Sequence, residues 1–538
     1  MPTTRSRSGA DGGGEVSPAS PPVHANKWVI TFTVMLGTFM SVLDTSIVNV
    51  ALPYMRGNLS ASVEEITWVA TGYMLSTVCV MPTIAFLGSR FGRKRFYIVC
   101  IGLFTATSML CGLAWDLPSM VLFRALQGIG GGALMPVSQA ILRETFPPEE
   151  QGMAMGLFGL GVSMGPAFGP TLGGWLTDSF SWPWIFYINV PVGVLNILLV
   201  GRYIQDPPYL VRTKGNIDVA GLALLVVSLP AIQIILEKGQ RENWFESPMI
   251  THLTVIGAVA LGLFVWRELT AKAPVVDLRI LKDLTFTSTT IISGVLMLGL
   301  YGSVFILPLF VQQILGYPAM DAGLLLMPRS LAIAFAMLLT GRIYNRFGAI
   351  PMISGGLLLL SSSFWMLSRF SLSVGYWDLF FPQVFQGIGL GVVFVALSTE
   401  QLAHIDRHQI NTATGVASLI RTVFSSIGIA LCATLFTRGI SSYRAVLVEN
   451  VSLYRDVTVG WERMLTGAMV GRGLDAATAK ASALKLLDGA VMRQASMLSF
   501  NHVFVVITVL LVLSSPLFLL LRAPRRATTT AAEPAAAE

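Results

Sequence analysis

Charge is what this sequence has least of. Of 538 residues only 12% are Asp, Glu, Lys or Arg, against 54% hydrophobic, and the mean hydropathy is +0.68. A soluble globular chain carries about 25% charged residues, so a soluble domain is excluded and an all-α, polytopic membrane protein is expected. Cysteine is scarce too. Cys79, Cys100, Cys111 and Cys432 fall in apolar segments with no ligand spacing, which argues for small core residues and against a redox or metal site. The five histidines (His24, His252, His404, His408, His502) lie in tails or near segment ends, so none makes a compelling proton relay. The phosphate-binding pattern GxxxxGK[ST] is missing, which argues against ATP as the energy source. No nucleophile–base constellation marks an enzyme, and no cofactor is expected. The net charge of +7 does not point to nucleic acid, because the surplus is confined to one set of loops.

What the sequence has is apolar runs. Fourteen spans are expected, at roughly 28–52, 66–88, 95–115, 119–143, 152–176, 184–204, 219–236, 250–268, 286–311, 321–341, 349–368, 376–400, 411–437 and 501–522; about 20 apolar residues suffice to cross a bilayer. An even number puts both termini on one side. With the N-terminus cytoplasmic, the cytoplasmic tails and loops hold 21 Lys and Arg and the short external loops hold four, the bias of the positive-inside rule. Residues 1–27 read as a disordered, Gly/Ser/Pro-rich cytoplasmic tail without a cleavable signal peptide. The connection 438–500 is external and long enough that partial helix and a docking role are expected.

The chain repeats itself. AFLGSRFG at 85–92 is matched by GRIYNRFG at 341–348, and RALQGIGGG at 124–132 by QVFQGIGLG at 383–391. The offsets, 256 and 259, are nearly equal. The organisation that follows is a six-helix bundle over 28–204, a linker with two inserted helices over 205–285, a second six-helix bundle over 286–522 that includes the external loop, and a cytoplasmic tail at 523–538. Such repeats, with a site between the halves, are the arrangement of secondary transporters.

Asp44 is the only acid well inside a span. A carboxylate there costs roughly 2.5–3.5 kcal/mol on the lenient insertion scale and needs a partner, a water-filled cavity or a proton. Arg124 lies at a matching depth on the fourth span, about 8–12 Å below the outer surface at 1.5 Å per residue, and a guanidinium keeps its charge. The pair is either a proton-coupling site or a structural ion pair. Arg329 and Arg421 have no acidic partner in any span of their own half. They bind backbone carbonyls, face water, or attract an anionic part of a substrate. Glu400 reads as a snorkelling or loop charge.

At these motifs the chain resembles the major facilitator superfamily. FLGSRFGRK resembles its cytoplasmic loop signature, GxLxDRxGR, through Arg90, Gly92 and Arg93, with Ala85 for the first glycine and Ser89 for the aspartate. The second copy keeps Gly341, Arg346 and Gly348, with Asn345 at the aspartate position. Both copies lack the acid through which that loop latches neighbouring helices, so the latch must be weaker or built differently. In span five, Gly152, Gly161, Gly165, Pro166 and Gly169 fit the superfamily's antiporter motif. Glycines at helical spacing let backbones approach closely, and Pro166 allows a kink, so this helix is expected to slide between the bundles.

LDTSIVNVALP at 43–53, WIFYINVPVG at 184–193, FVQQILGY at 310–317 and AGLLLMPRS at 322–330 are similar to the fourteen-helix drug:proton antiporters of the EmrB/QacA type. Pro183 departs from that family's WRW pattern. The resemblance implies a proton-driven multidrug efflux permease of the bacterial plasma membrane, the inner membrane in a Gram-negative cell, with small amphipathic or hydrophobic substrates. It implies a periplasmic membrane-fusion adaptor and an outer-membrane channel as partners. Expected cavity residues are Met40, Tyr73, Met135, Gln139, Phe168, Tyr301 and Phe305, joined by Arg329 and Arg421. Two alternatives stay open: an exporter of one endogenous metabolite, lipid or siderophore on the same scaffold, and a non-transporting membrane sensor or scaffold.

Overall fold

The computed structural model describes residues 26–62, 65–206, 218–271, 274–317, 319–452 and 454–520. The terminal tails, apart from Asn26 and Lys27, and much of the 205–218 connection lie outside these residues. Among the described residues twelve helices are long and apolar enough to span a bilayer; Gln151–Ser179 and Ala319–Phe347 are two further helices of 29 residues each. Among the described residues there is no strand.

The first bundle comprises α1 (Lys27–Asn58), α2 (Glu65–Phe91), α3 (Arg93–Gly112), α4 (Leu117–Thr145), α5 (Gln151–Ser179) and α6 (Trp184–Tyr203). The insert is α7 (Val219–Lys238) and α8 (Pro248–Thr270). The second bundle begins with α9 (Leu284–Ile314), α10 (Ala319–Phe347), α11 (Ala349–Leu367), α12 (Tyr376–Gln401) and α13 (Ile410–Glu449). It closes with α15 (Ala476–Leu520), after the 15-residue helix α14 (Asp456–Val470).

Aspartates set many of the starts. Asp116, Asp218, Asp283 and Asp475 each accept a hydrogen bond from the backbone N–H three residues on, at 2.7–3.1 Å. Each satisfies a donor that the first helical turn leaves open and places a negative charge at the positive end of the helix.

Three helices run past their expected ends. α1 continues six residues beyond 52 with Pro53 inside it. α13 extends to Glu449, and the last span is the second half of a helix that starts at Ala476. The Ala- and Leu-rich stretch after Asp475 has high helix propensity, so the 438–500 connection is mostly helix. Ion pairs of Arg444 with Asp488 (2.6 Å) and Lys480 with Glu462 (3.2 Å) hold its pieces together.

Each bundle is built on a glycine-rich central helix. A Cβ on Gly128 would sit 2.3 Å from the Tyr73 carbonyl of α2, and one on Gly130 would sit 2.6 Å from the Cys100 carbonyl of α3. One repeat later Gly387 meets the Arg329 carbonyl of α10 at 2.5 Å, and Gly389 meets the Gly356 carbonyl of α11 at 2.9 Å. The QGIG motif therefore wedges α4 and α12 identically between two neighbours, where any side chain would force the backbones apart.

The bundles touch mainly near one end. Gly152 of α5 abuts Tyr344 and the Gly341 carbonyl of α10, and a Cβ on Gly415 of α13 would lie 2.6 Å from the Met81 carbonyl of α2. Arg143 donates to the Leu402 carbonyl at 2.9 Å, and Asn345 donates to the Glu149 carbonyl. The helix ends here carry Arg90, Arg93 and Arg346. The insert helix α7 packs on both bundles: Gln233 and Ser426 exchange hydrogen bonds at 2.9 and 3.0 Å, and Thr71 donates to Glu237.

Candidate functional site

Five helices converge on Asp44. The carboxylate is fully buried, and so is Arg124 at 1% exposure. Arg124 Nη1 donates to Asp44 Oδ2 at 2.6 Å. Gln127 Nε2 and Asn189 Nδ2 both donate to Oδ1, at 3.0 and 3.1 Å, and Asn189 also donates to Ser108 Oγ at 3.0 Å. Arg124 in turn reaches the Val69 carbonyl (3.1 Å) and Gln127 Oε1 (2.6 Å), with its guanidinium 4.4 Å from the centre of the Tyr73 ring. A buried ion pair survives only when the lone pairs and protons left over are also bonded, and this network meets that demand.

The arrangement has a chemical consequence. Neutralising Asp44 would remove the carboxylate from Arg124 but leave the guanidinium two neutral acceptors and an aromatic face. The cation is thus protected when the acid takes a proton. Sequence reasoning paired Asp44 with Arg124 by depth, and the structure brings them together. It missed Gln127, Asn189 and Ser108. Gln127 stands one helical turn after Arg124, a spacing that puts both on one face, whereas nothing in the sequence singles out Asn189 or Ser108.

The second bundle holds a neutral copy of this site. Adding 259 to Asp44, Arg124 and Gln127 gives Ser303, Gln383 and Gln386. Gln386 Nε2 donates to Ser303 Oγ at 3.3 Å, as Gln127 donates to Asp44. Arg329 stands 256 residues after Tyr73, and the carbonyls of both meet the glycine of the QGIG motif.

The antiporter-motif helix does two jobs rather than one. Gly152 packs against the other bundle, but a Cβ on Gly161, Gly165 or Gly169 would meet Met35, Val42 or Ser46 of α1. The expectation of one sliding face between bundles is therefore corrected: three of its four glycines form a close seat for the helix that carries Asp44. Pro166 lies within α5.

Of the expected cavity residues, Met40, Tyr73 and Gln139 are in the packed interior. Tyr73 is used as the platform under Arg124, and Gln139 accepts from Arg421 Nη2 at 3.3 Å across the two bundles. They do not line an open cavity in this conformation. Met135 is half-buried, whereas Phe168, Tyr301 and Phe305 are exposed. Arg421 also bonds Ser418 Oγ (2.9 Å) and Gln401 Oε1 (3.4 Å), all neutral acceptors. Arg329 is 7% exposed with Nη1 unpartnered.

In the loop motif, Gly92 and Gly348 adopt φ of 85° and 78°, a region costly for any side chain. Ser89, at the aspartate position, bonds only locally, to the Phe86 carbonyl at 2.9 Å. Arg93 instead pairs with Glu144, and Asp206 accepts from the Lys94 N–H at 2.7 Å at the start of α3. Glu400 is corrected: it is 3% exposed and accepts from Tyr344 O–H at 3.0 Å, so it is a packed interface group rather than a loop charge.

Two related six-helix bundles around buried charges define a multi-pass membrane transporter. The chain belongs to the Major Facilitator Superfamily, whose sequence pattern matches residues 34–429. It is 30% identical to the fatty acid resistance protein FarB of Neisseria gonorrhoeae over 94% of this chain and 98% of that one. It is 32% identical to the multidrug export protein EmrB of Haemophilus influenzae, over 81% and 86% of the two chains. Among solved structures, the human organic anion transporter MFSD10 superposes with a TM-score of 0.58 at 13% identity, covering 91% of this chain and all of that one, a likeness of fold.

Proposed function

We propose that this protein is a drug:proton antiporter that exports small amphipathic or hydrophobic compounds by alternating access. The observation that carries the reading is the buried Asp44–Arg124 pair with its fallback acceptors. It offers a carboxylate that can be neutralised without stranding the cation. Kinship to the EmrB multidrug export proteins supports the drug-efflux part. The site lies in the bacterial plasma membrane with both termini cytoplasmic, following the loop charges. The two bundles then meet at the cytoplasmic end, which makes this the outward-facing arrangement.

In the cycle, a proton from outside neutralises Asp44 and loosens α1 from α4. Because α5 seats α1 with one half and α10 with the other, a shift of α1 is passed to the contact between bundles. The equilibrium moves only by the difference in proton affinity between the two facing states. By kinship with EmrB, a periplasmic adaptor and an outer-membrane channel would complete the pump.

Purified protein in proteoliposomes with an internal pH dye tests the reading. Addition of a lipophilic dye substrate should release protons in proportion to dye uptake. Dye flux with no accompanying proton movement would refute antiport, and neither flux would return the sensor or scaffold reading.

A further inference from the structure

The second bundle keeps the scaffold of the Asp44 site but not its charge balance. Arg329, on α10, is 7% exposed, takes part in none of the ion pairs among the described residues, and has Nη1 without any hydrogen-bond partner. On the facing helix α12, Gln383 is 1% exposed and neither of its amide atoms has a partner; Gln386 is fully buried with Oε1 unpartnered. The two helices are in backbone contact at Arg329 and Gly387. Counted from the starts of α10 and α12, the three residues lie at similar depth, about 10–15 Å along their helices.

Buried polar groups are nearly always bonded, so orphaned atoms at similar depth on two helices in backbone contact need an explanation. In the first bundle Arg124 and Gln127, the equivalents of Gln383 and Gln386, are satisfied because Asp44 supplies the anion. In the second, Ser303 stands where the acid would be and Gln383 where Arg124 would be, while Arg329, at the position of Tyr73, brings a cation that the first site lacks there. The site therefore lacks an anion. Arg421, bonded only to neutral acceptors, adds a second guanidinium without an acid to the same bundle.

We infer that Arg329, Gln383 and Gln386 form an anion subsite that takes the carboxylate of an amphipathic small molecule. One guanidinium balances a single negative charge, so a monoanion fits and a phosphate dianion does not. A carboxylate accepts from Nη1 and from a glutamine N–H, both strong charge-assisted bonds. The Ser303 hydroxyl can donate to Gln386 Oε1 as readily as it accepts from Nε2, which frees that N–H to turn to the ligand. Calling the ligand a substrate rests on the transport reading above; the binding itself does not.

The test uses the full chain in phosphatidylcholine nanodiscs, with naphthoate and its neutral isostere naphthamide as probes, titrated by calorimetry without a proton gradient. The native protein should bind naphthoate at least about tenfold more tightly than naphthamide. Arg329→Gln should remove that preference while leaving naphthamide binding unchanged, and Arg329→Lys should keep part of it. Equal binding of the two probes by the native protein would overturn the inference without recourse to any variant. Equal weakening of both probes by Arg329→Gln would do the same. So would loss of naphthoate binding in phosphatidylglycerol nanodiscs, since the anion would then be a lipid headgroup. Failure of proton-coupled efflux leaves a positive binding result intact, and failure of this selectivity leaves antiport intact.

Discussion

Gln386 donates to Ser303 at 3.3 Å where, one repeat earlier, Gln127 donates to Asp44 at 3.0 Å. The same helix pair and the same wedge of glycines thus hold a carboxylate in one bundle and a hydroxyl in the other. In the antiport proposed above, only the half with the carboxylate would take the proton. The other half is where Arg329, Gln383 and Gln386 keep buried polar atoms without partners.

Removing the charge at Asp44 is the first expected failure. Asp44→Asn keeps the size and can still accept from Gln127 and Asn189, and Arg124 keeps the Val69 carbonyl and Gln127 Oε1. The variant should therefore insert and fold, bind substrate, and release no protons. Wild-type proton release by Asp44→Asn in proteoliposomes would mean that the pair is only structural. Arg124→Ala is different: it strands a buried carboxylate, a change that costs about 3–5 kcal/mol, and should lower thermal stability as well as transport.

The α5 glycines give a graded prediction. A Cβ on Gly165 would lie 2.5 Å from Val42 Cγ1, and one on Gly174 meets nothing within 4 Å. Gly165→Leu should displace α1, costing about 1–3 kcal/mol as overpacking usually does, and abolish transport with insertion retained. Gly174→Leu should leave transport unchanged. Melting curves in detergent beside dye efflux in cells check both. Normal efflux by Gly165→Leu would show that the seat under α1 has no part in the cycle.

Much of this was legible in the sequence, and for one reason: apolar runs of bilayer length have few alternatives to helix. Asp44 and Arg124 could be paired because an intramembrane charge is rare enough to limit the candidates. Asn189 and Ser108 were not legible, and Gln127 only through its one-turn spacing from Arg124, because neutral polar residues in spans are common and only packing shows which of them converge. The direction in which the α5 glycines face was also hidden. Helical spacing reveals a bare stripe but not the neighbour that fills it, and here the stripe turns from α10 to α1 partway along. Helix ends were misjudged where a proline or a polar stretch suggested a stop. Pro53 is carried inside α1, and the polar start of α15 continues without a break into its apolar half.

The topology is open to direct labelling. Ser441 lies on the exposed extension of α13, and Ser17 is in the N-terminal tail. With an impermeant thiol reagent on intact cells, Ser441→Cys should react and Ser17→Cys should not. The reverse pattern would turn the molecule over and make the closed end external.

The last prediction concerns that closed end. Gly152 and Gly341 approach so closely that a Cβ on Gly341 would sit 2.9 Å from the Gly152 carbonyl, and Arg143 reaches across to the Leu402 carbonyl. These contacts exist only while the bundles are together here, so each stabilises this facing state over the other. Gly341→Leu inserts a branched side chain against backbone that cannot yield, and should hold the bundles apart at this end. Arg143→Ala removes one cross-bundle bond, worth about 0.5–1.5 kcal/mol for a typical hydrogen bond, and should shift the populations less. Spin labels at exposed Arg346 and half-buried Glu144, one on each bundle near this end, report the separation. The short-distance population should fall a little in Arg143→Ala and largely vanish in Gly341→Leu, with efflux declining in the same order. If Gly341→Leu keeps the native distance distribution, the two glycines are not what closes this end, and the gate must lie with α2 and α13.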